Sequence, residues 1–179
     1  KLVTINLPSK VKMLPKPVQA IFEEQKVGGS ILWFDESWRK ASDSRFVNDE
    51  TMLWNQIHEL PDTFRGQILW LIAKLYFAHG MHAEAGAVIQ LLRKEVPAYA
   101  SQASIDLTLA VSYYWENNLA EASKEIKSAL LRNKLTSEER AEISFWDKMV
   151  QISIGDLNGK EIAFNYNAYP FLKTYPEGL

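Results

Sequence analysis

The sequence predicts a mainly α-helical chain, with about six helices arranged as stacked hairpins and a small β-hairpin element in front of them. Three observations predict it. The first is an internal repeat. Ile68-Leu69-Trp70-Leu71-Ile72-Ala73-Lys74-Leu75-Tyr76, a turn and Ala83-Glu84-Ala85 return, 37 residues later, as Ile105-Asp106-Leu107-Thr108-Leu109-Ala110-Val111-Ser112-Tyr113, a turn and Ala120-Glu121-Ala122. Self-similarity at a period of about 20–50 residues marks supersecondary units that bury their apolar faces on one another. The second is helical periodicity that begins at Asn48 and continues through the repeats. The third is an alternation of Val3, Ile5 and Leu7 with polar residues, the pattern of a short strand.

Residues 1–46 form the β-rich segment. Pro8, Pro15 and Pro17 argue against a helix after the first strand. Val18 to Val27 reads as extended, Gly28-Gly29-Ser30 as a turn and Ile31-Leu32-Trp33-Phe34 as a short buried strand, which together make a β-hairpin. A lone hairpin is marginal in water, so it needs the helical part or further sequence to pack against.

Residues 47–179 form the helical domain. Met52, Leu53, Gln56, Ile57 and Leu60 give one face of a short helix that Pro61 ends, and Asp62 is placed to cap the next, Thr63 to Ala78. Gly80 lets the chain leave that helix. The returning helix runs from His82 to Glu95, with Ala85, Val88, Ile89 and Leu92 inward and Pro97 closing the unit. A second pair spans 98–116 and 119–133, joined by Asn117-Asn118. Thr136-Ser137-Glu138-Glu139 is a capping box that opens a helix carrying Ile143, Trp146, Met149, Val150 and Ile154, ended by Gly155-Asp156. The tail holds Phe164, Tyr166, Tyr169, Phe171 and Tyr175 among Pro170 and Pro176.

Composition narrows the function classes. A net charge of −2 lacks the basic excess usual in nucleic-acid binders. No apolar run reaches the ~20 residues of a transmembrane helix. The absence of cysteine removes disulfides, thiol nucleophiles and cysteine-held metals, and leaves the compartment, cytoplasmic or periplasmic, undecided. The first residue is Lys1 rather than Met, which suggests a piece of a longer protein. The sequence sets no oligomeric state and calls for no cofactor.

The repeat carries a recurrent design. Ala73 and Ala110 sit among large residues on the first helix, Tyr76 and Tyr113 follow, and Ala85 and Ala122 lie on the returning helix. Antiparallel helices approach closely where side chains are small, and their large neighbours then interlock. The spacing resembles the tetratricopeptide repeat. Leu69, Ile72, Ala73, Tyr76, Gly80, Ala85, Ile89, Leu92 and Pro97 fit its pattern in the first unit. Asp106, Leu109, Ala110, Tyr113, Asn117, Ala122, Ile126, Ala129 and Lys134 stand at those places in the second, which lacks the leading aromatic, the Gly and the Pro. A degenerate third unit starts at Ser137, so the resemblance covers roughly residues 62–160.

The resemblance implies a solenoid whose first helices line a concave surface. By register, Gln67, Trp70, Lys74 and Phe77 belong there from the first unit, and Ser104, Leu107, Val111, Tyr114 and Trp115 from the second. A protein or peptide ligand is the implied partner, held by Trp70, Lys74, Phe77, Leu107, Val111, Tyr114 and Trp115. An aromatic groove suits an extended peptide or an amphipathic helix. The basic residues of the family's acidic-tail clamps are missing, because only Lys74 is basic among these positions. The expected function is therefore a non-catalytic binding scaffold within a larger repeat protein of bacterial type. The alternative is a structural packing module whose groove is filled from within the chain.

Chemistry offers less. His79, His82 and Glu84 lack the i, i+4 pairing of a zinc helix, and Gly28-Gly29-Ser30 has no following Lys, so it is no phosphate loop. The carboxylates Glu23, Glu24, Asp35 and Glu36 allow a third reading, an enzyme with acids near residues 23–36; solvated surface charge is the simpler account. Lys10, Lys12 and Lys16, interleaved with apolar residues and prolines, read as a linker.

Overall fold

The structure, a computed structural model, describes residues 43–155 except residue 134. The strand at Val3, Ile5 and Leu7, the hairpin around Gly28-Gly29-Ser30, the lysine patch, the acids near residues 23–36 and the aromatic tail lie outside the described residues. The described part is mainly α. It contains six helices and no strand: α1 Asp43–Glu59, α2 Arg65–Ala78, α3 His82–Glu95, α4 Ala103–Trp115, α5 Leu119–Leu130 and α6 Ser137–Ser153.

Helix α1 begins earlier than its apolar periodicity. Arg45 and Asp49 pair one turn apart at 3.6 Å. The ring of Phe46 lies 4.6 Å from that of His79 and 6.1 Å from that of Tyr76. These contacts hold a first turn that no i, i+4 apolar pattern announces. Leu53 and Ile57 are buried against the helices that follow. Tyr76 anchors α1 to α2, since its hydroxyl accepts from Trp54 Nε1 at 3.1 Å and donates to Glu50 Oε1.

Asp62 does not cap α2. It opens a 3-10 turn, Asp62–Phe64, in which Phe64 N–H donates to the Pro61 carbonyl at 2.9 Å, and Phe64 occupies the cap with no side-chain bond. A second 3-10 turn, Tyr99–Ser101, precedes α4, which also lacks a side-chain cap. Short-range turn bonds satisfy at these starts what a capping side chain supplies elsewhere. At α6 the capping box is complete. Glu139 N–H donates to Thr136 Oγ1 at 3.1 Å, and Thr136 N–H to Glu139 Oε2 at 2.8 Å.

The two hairpins turn in the same way. After α2, Gly80 takes a φ of 72°, Met81 N–H donates to Tyr76 O and Gly80 N–H to Phe77 O. After α4, Asn117 takes a φ of 59°, Asn118 N–H donates to Tyr113 O and Asn117 N–H to Tyr114 O. Both are left-handed helix ends that return bonds to the last carbonyls. Asn tolerates this conformation better than most residues, so it replaces Gly at small cost. Gly155, with a φ of 84°, stands at the same place after α6.

Packing follows chain order: α1 on α2, α2 on α3, α3 on α4, α4 on α5 and α5 on α6, with a lighter contact between α4 and α6. Ala73, Ala85, Ala110 and Ala122 are fully buried where the paired helices approach. Helices α2 and α4 are apolar over most of their circumference, the mark of helices enclosed on several sides. In α4, eight consecutive residues from Ile105 to Ser112 are buried.

One interface departs from the repeat. Where the first hairpin has Leu69 and Val88, the second has Asp106 and Glu125, 37 residues further on, and all four are buried. Two arginines answer the acids. Arg93 Nη2 donates to Asp106 Oδ1 at 2.6 Å, and the same guanidinium grips Glu125 through two bonds of 2.7 and 3.0 Å. Arg132 donates to Asp106 from Nε at 2.7 Å and to the Ala100 carbonyl at 2.7 Å. Ser128 Oγ adds a bond to Asp106 Oδ2 at 3.1 Å. Asp106 is fully inaccessible to solvent, and this network joins α3, α4 and α5.

Candidate functional site

The sequence-selected residues fall into two groups. Trp70 and Lys74 lie half-buried on α2, and Tyr114 lies half-buried on α4. Trp115, at the end of α4, is 42% exposed. Phe77, at 4%, and Leu107 and Val111, both at 0%, belong to the core. Register assigns them to the groove side of their helices, but all three positions are covered. Gln67 and Ser104 are half-buried.

Aromatic contacts join Trp115 and Tyr114 to the half-buried His82 on one side and the buried Trp146 on the other. Phe77 and His82 form a T-shaped pair, with ring centroids 5.0 Å apart and planes at 81°. His82 stacks on Trp115 at 5.8 Å and 16°. Trp115 meets Tyr114 edge-on at 5.6 Å, Tyr114 meets Trp146 of α6 at 5.6 Å, and Trp146 meets Phe145 at 5.6 Å. Ser153 Oγ lies 3.3 Å from the Tyr114 hydroxyl and ties the end of α6 to the same rings. Offset and edge-to-face pairs of this kind hold rings in fixed orientations. Trp115 is therefore an exposed indole flanked by His82 of α3 on one side and Tyr114 of α4 on the other.

Lys74 extends this surface along α2. Its Nζ sits 5.1 Å from the centre of the Trp70 ring, a cation–π distance. Burial pushes its amine down to about 8 from an ordinary 10.5. Between those values the folded chain has released a proton that the unfolded chain keeps, so this group makes stability rise as pH climbs from about 8 to about 10.5. Below that window the folded chain carries a poorly hydrated charge. Methionine keeps the stem and removes the charge. Lys74→Met is expected to lose this rise, so its stability relative to the parent falls as pH climbs through that window. Urea melts across that pH range measure it.

His82 and the Asp106 network were not selected as site residues by sequence reasoning. His82 follows a turn that looks exposed, and only the closure of the hairpin onto α4 brings it to Trp115. The signal for Asp106 was visible as an acid at a core position of the second repeat. Among the described residues no group of three His, Asp or Glu side chains is placed to hold a metal ion, and no helix is long and apolar enough to cross a membrane. Compared with protein-family models, with curated proteins and with solved structures, the chain shows no significant match.

Proposed function

We propose that the chain is a non-catalytic protein-binding scaffold built as a tetratricopeptide-like stack of helical hairpins, with Trp115, Tyr114, Trp70 and Lys74 as the contact surface. Chain-order packing supports the stack, as do the like turns at Gly80, Asn117 and Gly155. The observation that carries the function is the exposed indole of Trp115, flanked by His82 and Tyr114. An aromatic side chain loses little entropy on binding, which is why Trp and Tyr are frequent anchors of interfaces. The ligand is a protein segment that covers this apolar edge, and Lys74 favours a carboxylate beside its apolar anchor.

One observation favours a second reading. Leu107 and Val111 are fully buried on the side that the resemblance assigns to the groove. A groove already filled by the chain itself would leave a packing module with no ligand of its own. Affinity capture from the source cell, using the full-length protein and a Trp115→Ala variant, separates the two. The binding reading expects a partner held by the parent and lost in the variant, while both proteins melt within about 1–2 kcal/mol of each other, the usual cost of one lost ring pair. Equal capture by both removes Trp115 from the interface.

A further inference from the structure

Histidine 82 joins the aromatic rings at their most exposed point. It is the first residue of α3, placed between Phe77 and the face of Trp115. Its Nδ1 is buried and has no hydrogen-bond partner among the described residues. A neutral imidazole tolerates this, because Nδ1 then serves as an unused acceptor. A protonated imidazole has a donor on each nitrogen, so the Nδ1–H would be a buried charged donor without an acceptor. The N-terminus of α3 adds a positive partial charge beside it. The face of Trp115 would attract an imidazolium, but a ring face cannot replace the missing acceptor.

We propose that His82 is a pH-sensitive latch on the binding surface: neutral, it clamps the Trp115 indole against α3, and protonated, it leaves the stack and frees that indole to move. The proposal deepens the reading of Trp115 as a contact residue, because it concerns the regulation of that same surface. The turn after α2 brings His79, three residues before His82 in the chain. From α3 comes Glu84 and from α4 come Tyr114 and Glu116; both carboxylates are solvent-exposed. Glu116 leans over α3, with Oε1 4.0 Å from where a Cβ on Gly86 would stand. Burial holds the imidazole below its usual range. The neutral form is thus the folded one near neutrality, and the latch opens on acidification.

The latch is read without any partner. In NMR spectra of the full chain, the imidazole signals of His58, His79 and His82 are followed from about pH 8 to about pH 5, with the indole signal of Trp115 beside them. The expected result is a His82 midpoint below about 6.5, a Trp115 shift with the same midpoint, and unmoved amide signals for the core residues Leu69 and Ile126. In His82→Phe the stack is kept without a titrating group, so Trp115 should stay fixed across the range; His82→Gln is the second variant and should leave Trp115 mobile throughout. A His82 midpoint at or above about 6.5, a Trp115 that does not follow it, or a Trp115 that still titrates in His82→Phe overturns the latch. If the latch holds while Trp115→Ala captures partners normally, it is the binding reading that fails.

Discussion

Asp106→Ala is expected to destabilise the chain by about 3–5 kcal/mol, the largest effect of any single polar substitution in the described part. The magnitude comes from what is left behind. Asp106 is fully buried and takes bonds from Arg93, Arg132 and Ser128. Without it, Arg93 keeps Glu125 as a counter-charge, but Arg132 keeps only the Ala100 carbonyl and a long contact to Ser128. A guanidinium without a carboxylate then lies in a half-buried interface. Asp106→Asn preserves shape and one acceptor and should recover part of the loss. The more telling variant replaces all four charges, combining Asp106→Leu, Glu125→Val, Arg93→Met and Arg132→Leu, because Arg93 is also the counter-charge of Glu125. It returns the site toward the apolar interface that the first hairpin makes with Leu69 and Val88. Buried charges repay their desolvation poorly, so the quadruple variant should be more stable than Asp106→Leu alone by about 2 kcal/mol or more. Denaturant melts of the parent and the four variants decide it. A single Asp106→Ala costing under about 1 kcal/mol would mean that the network is solvent-screened.

Leu107→Ala is expected to cost about 2–4 kcal/mol in stability, and Val111→Ala somewhat less. Both side chains are fully buried, so truncation removes transfer energy and leaves a cavity. This places them apart from Trp115, whose truncation removes ring contacts at a surface. If Leu107 stood free in an open groove, its replacement by Ala would leave the melting midpoint almost unchanged and act only on a partner. Thermal melts of Leu107→Ala and Trp115→Ala side by side therefore sort the sequence-selected residues into core and surface.

Most of the helical architecture was legible because it rests on local rules. The lag of 37 residues marked both hairpins, and the returning helix from His82 to Glu95 was read to the residue. The capping box at Thr136 was legible because it needs only side chains three residues apart. Helix starts without side-chain caps were less so. Asp62 has the right chemistry for a cap, but Pro61 directs the chain into a 3-10 turn first. The start of α1 escaped the apolar pattern because it depends on Phe46 reaching His79 and Tyr76, more than 25 residues away.

The site was legible only in outline. Register grouped Trp70, Lys74, Tyr114 and Trp115 with Phe77, Leu107 and Val111, and spacing alone gives no depth. The apolar residues spread around most of α4 held a warning, because a helix apolar on all sides is enclosed. His82 escaped because a histidine after a turn has no periodic signature. Asp106 was the converse case: a mismatch to the repeat that the structure turns into an organising contact, answered by arginines 13 residues earlier and 26 residues later.

The proposed contact surface for another protein is centred on the exposed indole of Trp115. The most direct measurement follows the indole signals of the six tryptophans by NMR while the captured partner is added to the full chain. Trp115 and Trp70 are expected to shift or broaden as the partner saturates the chain, while Trp54, whose indole N–H is bonded to Tyr76, stays in place. Movement of Trp54 with Trp115 and Trp70 unchanged would contradict it.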